Sequence, residues 1–472
     1  MAVYRPTIGL EIHAELKTIT KMFCGCRNDP DERQPNRNIC PVCMAHPGTL
    51  PVINKEAVHK TLLVGSALGG TLATYSEFDR KNYFYPDIPK GYQISQYAYP
   101  LVLGGTLAGV PITRVHLEED TARSQHEGEK SLIDYNRAGV PLMELVTEPA
   151  IHTAAQASNF ARELQLLLRY LSVGEANMEK GEMRVEANIS LSTNDTLGTK
   201  VEIKNINSFR SVEKAIAYEI ERQSAVLEKG DIVLQETRGW DDIRQITFSQ
   251  RKKESSHDYR YFPDPDLPKL LISDIEDFSL EHLTAQLGEL PAQRRVRYHS
   301  LGLKPDDADM FVREPLFGNF FDVVLKRATP ELTLLAANYL ASDIAGKYER
   351  KEMQENWLVD RSNAKRFSTL MEMVIEGKLS SRGAKDTLAL MLRSTENPEE
   401  LAAHNNLLQE SNTAALSTIV AKILKEQPQV ALEYKSGKGS ALQFLVGQAM
   451  KESAGRANPA TLIELIQEAL KV

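Results

Sequence analysis

Four cysteines, Cys24, Cys26, Cys40 and Cys43, fall within twenty residues of one another in a chain of 472, and no other position carries a thiol. Their pattern is C-x-C, thirteen residues, then C-x-x-C. Two close pairs of thiolates can close a tetrahedron around zinc, and a four-thiolate site of that kind is structural. The loop between the pairs is polar and contains Pro30 and Pro35. It has no core of its own, so a metal staple would order it. In a large chain without a secretory leader, such clustering argues for metal rather than disulfides. Near the N-terminus, Glu11 and His13 are two residues apart in Gly9-Leu-Glu-Ile-His13. On a strand they share one face, because side chains alternate with period two. A carboxylate and an imidazole so placed can bind a divalent ion or bracket a reacting group; a surface Glu beside a packed His would look the same. Glu118-Glu119-Asp120 follows the strand-like run Ile112 to Leu117. Glu144 stands in the apolar setting Pro141-Leu-Met-Glu-Leu-Val, where an unpaired charge is costly. A hard cation such as Mg²⁺ takes oxygen ligands of this kind. Spacing alone leaves open whether these carboxylates meet.

The segment Phe78 to Gln96 holds three Tyr, two Lys and one Arg between Pro and Gly residues. It resembles neither a helix nor a buried strand, and reads as a functional loop. Its Lys and Arg can pair with phosphates and its rings can stack on bases. We assign Lys81 a catalytic part, and Arg80, Tyr83, Tyr85 and Lys90 to substrate binding. A similar run spans Asp258 to Asp266 and includes Arg260; Lys204-Asn205 lies between the two. Lys204, Asn205 and Arg260 join the substrate-binding set. The chain has neither G-x-x-x-x-G-K-[ST] nor G-x-S-x-G, so a P-loop and a nucleophile elbow are excluded. With the thiols engaged by metal, no cysteine nucleophile remains. Any ammonia used would be released from its donor elsewhere.

The elements around these residues read as α+β. Val3–Leu16, Gln93–Leu103, Val110–Glu118, Arg184–Ser192 and Thr199–Lys204 are strand-like, punctuated by Gly and Pro. A helix follows Thr153, where Thr-Ala-Ala-Gln fits a capping box. Phe160, Leu164, Leu167, Leu168 and Leu171 form its apolar stripe, and a second helix spans roughly Ser211–Lys229. This predicts a large N-terminal catalytic domain, residues 1–291, with a mainly antiparallel, cradle-like sheet and a zinc loop at 24–43. A helical linker domain (292–360) and a helical tail (361–472) follow. Asn397-Pro398 and Asn458-Pro459 mark helix starts in the tail. Hydrophobic residues make up 42% and charged residues 25%, with a net charge of −8. From Glu331 onward, 17 Lys and Arg meet 18 Asp and Glu; the preceding part carries 39 against 46. RNA contact would therefore be local. No apolar run nears the roughly 20 residues that span a bilayer, and no leader stands at the N-terminus, so we expect a cytoplasmic protein without membrane contact.

IGLEIHAEL, HPGTLPVIN, SEFDRKNYFYPDIPKGYQISQ, HLEEDTARSQHE, DYNRAGVPLMELVTEP, EIKNINSFRSVEKAIAYEIERQ, QETRGWD and DYRYFPDPDLP occur here in the order found in amidotransferase B subunits. GKLSSRGAKDTL, EYKSGKGSALQFLVGQAMK and GRANP extend the likeness into the tail. The chain resembles the aspartyl/glutamyl-tRNA(Asn/Gln) amidotransferase B family over essentially its whole length. There is no room for the large insertion of the related archaeal E subunits. The resemblance implies a ligase that phosphorylates the side-chain carboxylate of Glu-tRNA(Gln) or Asp-tRNA(Asn) with ATP. Ammonia from glutamine hydrolysed on an A subunit then displaces the phosphate, and a C subunit clasps the heterotrimer. It also implies Mg²⁺ on His13, Glu118 and Glu144, with Glu11 nearby, and zinc on the four cysteines. Many members read EEDAGK where this chain has EEDTAR, which puts planar Arg123 at a Lys position. The most basic part of the tail, Lys435, Lys438, Lys451 and Arg456 with Gly437 and Gly439, resembles the family's tRNA-binding end. Two rival readings are a zinc-stabilised RNA-binding module without its own catalysis and a stand-alone ligase using free ammonia.

Overall fold

A computed structural model of the protein describes residues 3–252, 259–326, 328–409, 413–453 and 455–470. The chain forms two compact units, Met1–Pro291 and Ala292–Val472. In the first unit the strands that carry the argument are β1 (Arg5–Glu15), β2 (Asp79–Asn82), β3 (Tyr92–Ser95), β4 (Val110–Glu119), β5 (Pro141–Thr147), β6 (Met183–Ser192), β7 (Val201–Ile206), β8 (Glu236–Asp241), β9 (Ile246–Lys252) and β10 (Phe262–Pro263). The large sheet runs β9-β8-β7-β6-β1-β5-β4 and continues through short strands at Val102–Leu103 and Thr71–Leu72. Its long central pairings are antiparallel. Among the described residues only β7 and β8 pair in parallel within it, so the α+β, mainly antiparallel expectation holds.

Strand β1 shows why the sheet has two different faces. Ile8, Leu10, Ile12 and Ala14 are all at most 1% exposed. The residues between them, Gly9, Glu11, His13 and Glu15, point the other way. Burying each large apolar side chain contributes roughly 1.5–3 kcal/mol before entropy is counted. The covering layer includes two long helices, α1 (Ala154–Tyr170) and α2 (Phe209–Glu228), beside the helix Lys55–Ala67. Phe160, Leu164, Leu167 and Leu168 of α1, and Val212, Ala215 and Ile216 of α2, join the β1 residues in one apolar core. Thr153 caps α1 by accepting from the Gln156 N–H at 3.1 Å. Gln156 Oε1 accepts from His152 N–H, one residue before the capping-box position.

The segment expected to be a loop, Phe78 to Gln96, instead contains the β2–β3 hairpin. Its strand signature was hidden because most of the buried strand positions, Ile94 aside, are polar and satisfied by specific bonds. Asp79 accepts from Tyr97 N–H at 2.9 Å, and Gln93 donates to the Glu119 carbonyl at 2.7 Å. β10 pairs with β2, so the two aromatic-rich runs meet in one three-stranded sheet. For the same reason Gln93–Leu103 is not one strand: β3 and Val102–Leu103 belong to different sheets.

The second unit is helical. Packing is continuous across residue 360, with Phe320 stacked on Trp357 and 5.8 Å from the Phe367 ring. A separate apolar cluster, including Leu416, Leu445, Leu462 and Ile466, holds the last four helices. Asn458 caps its helix through Ala460 N–H at 2.8 Å. Asn397 makes no such side-chain bond, and the Pro398 start rests on the proline alone. No helix among the described residues is long and apolar enough to cross a membrane.

Candidate active site

Strand register assembles the site. Glu144 on β5 stands opposite His13 on β1 and His116 on β4, while His13 also stands opposite Arg184 on β6. Directly paired residues share a face, so His116, Glu144, His13 and Arg184 form a row across the polar face. Glu11 and Glu186 form the next row, and Glu118 flanks His116 on β4. His13 Nε2 lies 3.3 Å from Glu144 Oε2, 3.6 Å from Glu118 Oε1 and 3.9 Å from Glu11 Oε1. The four residues whose meeting spacing could not establish are thus brought together. Ser95 of β3 donates to Glu118 Oε2 at 3.1 Å, which ties the hairpin to the cluster.

Electrostatics follows from crowding. Burial opposes ionisation of Glu144, but His116, His13 and Lys81 outweigh it and hold its carboxyl far below the usual carboxylate range. Burial would lower His13, yet its bond to Glu144 and the charges of Glu144, Glu118 and Glu11 raise it to about 9. Glu11 is pushed up to about 7 by burial and by the neighbouring Glu144 charge. Burial lowers His116. Without a further cation the cluster therefore keeps a proton on His13 and strains to ionise Glu11. Divalent charge would relieve both, and ligand atoms of Glu11, His13 and Glu144 lie within 4.8 Å of one another.

Beside the cluster is a cavity of about 250 Å³ lined by Glu11, Glu144, Lys81, Arg114, Lys204, Tyr259 and Tyr261, among others. Lys81 Nζ stands 5.1 Å from the Tyr259 ring centre, and Tyr97 stacks on Tyr261 at 4.3 Å. Lys204 pairs with Glu186 at 2.6 Å. Lys81 and Lys204 are thus beside the cluster, whereas other expected contacts are not. Arg80 is turned to Asp264 at 2.7 Å and Asp266 at 2.9 Å, with its guanidinium over Tyr92. Lys90 pairs with Glu119 at 2.6 Å and lines a different cavity beside the cysteine loop. Tyr83 packs edge-on against Tyr85 and Tyr259, and Tyr85 is 53% exposed. Arg260 is exposed in a left-handed turn, its carbonyl accepting from Asn82. The side chain of Asn205, and Asp258 altogether, lie outside the described residues. Sequence reasoning missed His116 and Arg114, although the alternation that paired Glu11 with His13 also aligns Arg114, His116 and Glu118.

All four cysteines are reduced, and their sulfurs lie within 4.8 Å of one another. Zinc–sulfur bonds of about 2.3 Å give sulfur–sulfur edges of about 3.8 Å in a tetrahedron, so the group fits a metal. The Cys40 and Cys43 sulfurs are 3.9 Å apart. The loop is stitched to the segment leading into β5: Asn36 N–H donates to Asp134, Asn38 N–H to Asn136, and Met22 N–H to the Gly139 carbonyl. In the second unit, Lys435 ends one helix, Lys451 lies in the last turn of another, and Lys438 pairs with Glu433 at 2.8 Å. Arg456 donates to the Ser453 carbonyl at 3.4 Å.

The sequence that forms this sheet, with one helix-covered face and one carboxylate–imidazole face, matches a family of catalytic domains, and the helical unit matches a second family model. The GatB/GatE catalytic domain profile matches residues 6–276, and the GatB domain profile matches residues 319–470. The B subunit of the aspartyl/glutamyl-tRNA(Asn/Gln) amidotransferase of Thermomicrobium roseum is 44% identical over 99% of both chains. The proteins of the same name from Dehalococcoides mccartyi and Gloeothece citriformis are 41% and 39% identical, covering at least 98% of either chain. The chain belongs to the GatB family of amidotransferase B subunits.

Proposed function

We propose that this chain is the carboxylate-activating subunit of a glutamine-dependent aspartyl/glutamyl-tRNA amidotransferase. Family membership supports the tRNA-dependent ligase role and does not favour an RNA-binding module without catalysis. The observation that carries the assignment of the site is the convergence of His13, Glu11, Glu118 and Glu144 on one face of the sheet beside a cavity that Lys81, Arg114 and Lys204 also line. A carboxylate is a poor acyl donor. ATP would convert the side-chain carboxylate of Glu-tRNA(Gln) or Asp-tRNA(Asn) to an acyl phosphate and ADP; ammonia would then displace phosphate to leave the amide.

His13, Glu118 and Glu144, with Glu11 beside them, are the residues that would hold Mg²⁺. When bound, the ion supplies positive charge to the phosphoryl oxygens. The chain's own Lys81, Arg114 and Lys204 present fixed positive charge to phosphate and carboxylate from the same cavity. The stacked Tyr97 and Tyr261 form part of the wall of that cavity. Zinc on Cys24, Cys26, Cys40 and Cys43 is structural in this reading. Lys435, Lys438, Lys451 and Arg456 would meet tRNA phosphates. For Lys438 this competes with a surface ion pair worth only about 0.2–1 kcal/mol. Ammonia would come from glutamine on an A subunit, with a C subunit completing a cytoplasmic heterotrimer.

The test is to combine the full chain with A and C subunits, ATP, Mg²⁺, glutamine and Glu-tRNA(Gln) or Asp-tRNA(Asn). The expected result is ADP formed only when the charged tRNA is present, with amidated product. Absence of tRNA-dependent ADP on both substrates would overturn the assignment. Equal turnover with ammonium chloride and no partner subunits would instead identify a stand-alone ligase.

A further inference from the structure

His116 is a buried imidazole beside Glu144 with no ligand role in the site as described so far. It is 3% exposed, and its Nδ1 is buried without any hydrogen-bond partner. Its Nε2 has one close neighbour of opposite charge among the described residues, Glu144 Oε2 at 3.5 Å. Leaving a buried polar group unsatisfied destabilises the fold, and a structural residue of this size would be cheaper as an apolar one. The same Glu144 oxygen lies 3.3 Å from His13 Nε2, so one carboxylate oxygen faces an imidazole on either side.

The arrangement repeats on each side of β5. On β1, Glu11 and His13 are two residues apart on the polar face; on β4, His116 and Glu118 are two residues apart on the same face. Ligand atoms of Glu11, His13 and Glu144 come within 4.8 Å of one another, and those of His116, Glu118 and Glu144 do the same. Adjacent corners of an octahedron with bonds of 2.0–2.1 Å are about 3 Å apart. The observed separations of 3.3 and 3.5 Å exceed that by a few tenths of an ångström, within reach of small side-chain adjustments.

We propose that the polar face holds two divalent cations rather than one: Glu11, His13 and Glu144 take the first, and His116 and Glu118 take the second, with Glu144 shared between them. This deepens, and rests on, the phosphoryl-transfer reading of the same site. Paired ions roughly 3.5–4 Å apart are a recurrent way to bind attacking and leaving oxygens at once. Here they would serve the substrate carboxylate and the triphosphate. Ser95, donating to Glu118 Oε2 at 3.1 Å, leaves the other Glu118 oxygen for the second ion.

The test is a Mn²⁺ titration of the full chain followed by electron paramagnetic resonance. Thiolates select softer metals, so the count reports the imidazole–carboxylate site. The expected result is two Mn²⁺ per chain with a spectrum broadened by spin coupling. His116→Leu should drop the count to one and abolish the broadening, with its thermal unfolding checked beside it. One Mn²⁺ in the unaltered chain overturns the proposal without need of the variant. Two Mn²⁺ retained in His116→Leu also overturns it and moves the second ion to Glu186 and Glu202. ADP formation by the assembled complex separates this from the broader reading. ADP made with a single bound ion removes the pair and leaves the function; two coupled ions without tRNA-dependent ADP remove the function and leave the pair.

Discussion

His13 and Glu144 face each other as direct partners on antiparallel β1 and β5, with His13 Nε2 3.3 Å from Glu144 Oε2. Glu144 is 5% exposed, and His13, His116 and Lys81, with Arg114 at 3.6 Å, favour its charged form against burial. Glu144→Gln keeps the shape and removes the charge. We expect tRNA-dependent ADP formation to fall by about 10²–10³-fold, the range seen when one electrostatic contributor to a transition state is removed. The unfolding midpoint should change little, since Gln also relieves carboxylate crowding. An unaltered rate of ADP formation would take Glu144 out of the mechanism.

Arg80 belongs to the hairpin rather than to the cavity. Its pair with the fully buried Asp264 side chain, and a second with Asp266, clamp β2 to the segment after β10. Breaking a buried pair by removing one partner costs about 3–5 kcal/mol. Arg80→Ala should therefore lower the unfolding midpoint of the first unit, and Arg80→Lys should not restore it, because an ammonium cannot bridge two carboxylates as a planar fork does. Loss of activity with unchanged unfolding in Arg80→Ala would return Arg80 to the substrate-binding set.

The cysteine cluster predicts one zinc per purified chain by elemental analysis. Cys40→Ser or strong chelation should remove it. Because Asn36, Asn38 and Met22 bond to the segment between residues 134 and 139, hydrogen exchange should rise there as well as in the loop itself. The central strands β1 and β6 should keep their protection. A chain free of zinc with the same exchange pattern would mean the thiols order the loop unaided.

Charge reversal at Lys435 and Lys451 should weaken tRNA binding most at low salt. Each lost phosphate contact should also flatten the dependence of log affinity on log salt by about 0.7–0.9. The rate of ADP formation at saturating tRNA should stay unchanged, because these residues lie in the second unit and the carboxylate cluster in the first. A fall in that saturated rate would argue against a purely binding role.

Much of the polar face was legible in the residues. Alternation of apolar and polar positions in β1 is a local property of a half-buried strand, so it placed Glu11 and His13 together before any contact was known. The thiol pattern likewise carried its chemistry in its spacing, and Thr153 signalled its helix through a cap bond three residues long. The aromatic hairpin was not legible. Beside the apolar Phe78 and Ile94, its buried positions include Asp79, Gln93, Ser95 and Gln96, stabilised by bonds to partners about twenty residues away or farther in the chain, and no local pattern encodes such partners. The ion pairs of Arg80 were illegible for the same reason: its partners lie 184 and 186 residues away.

By itself, then, the amino-acid order determined which residue types sit on which face of each strand, where the thiols cluster, and which family the motifs resemble. Only the tertiary structure decided that Glu144 falls between His13 and His116. That depends on the register of three strands drawn from residues 5–15, 110–119 and 141–147, and register is set by the shared apolar face beneath them. A slip of one residue would turn every one of these side chains into the core, which the burial of Ile12, Leu117 and Leu145 forbids.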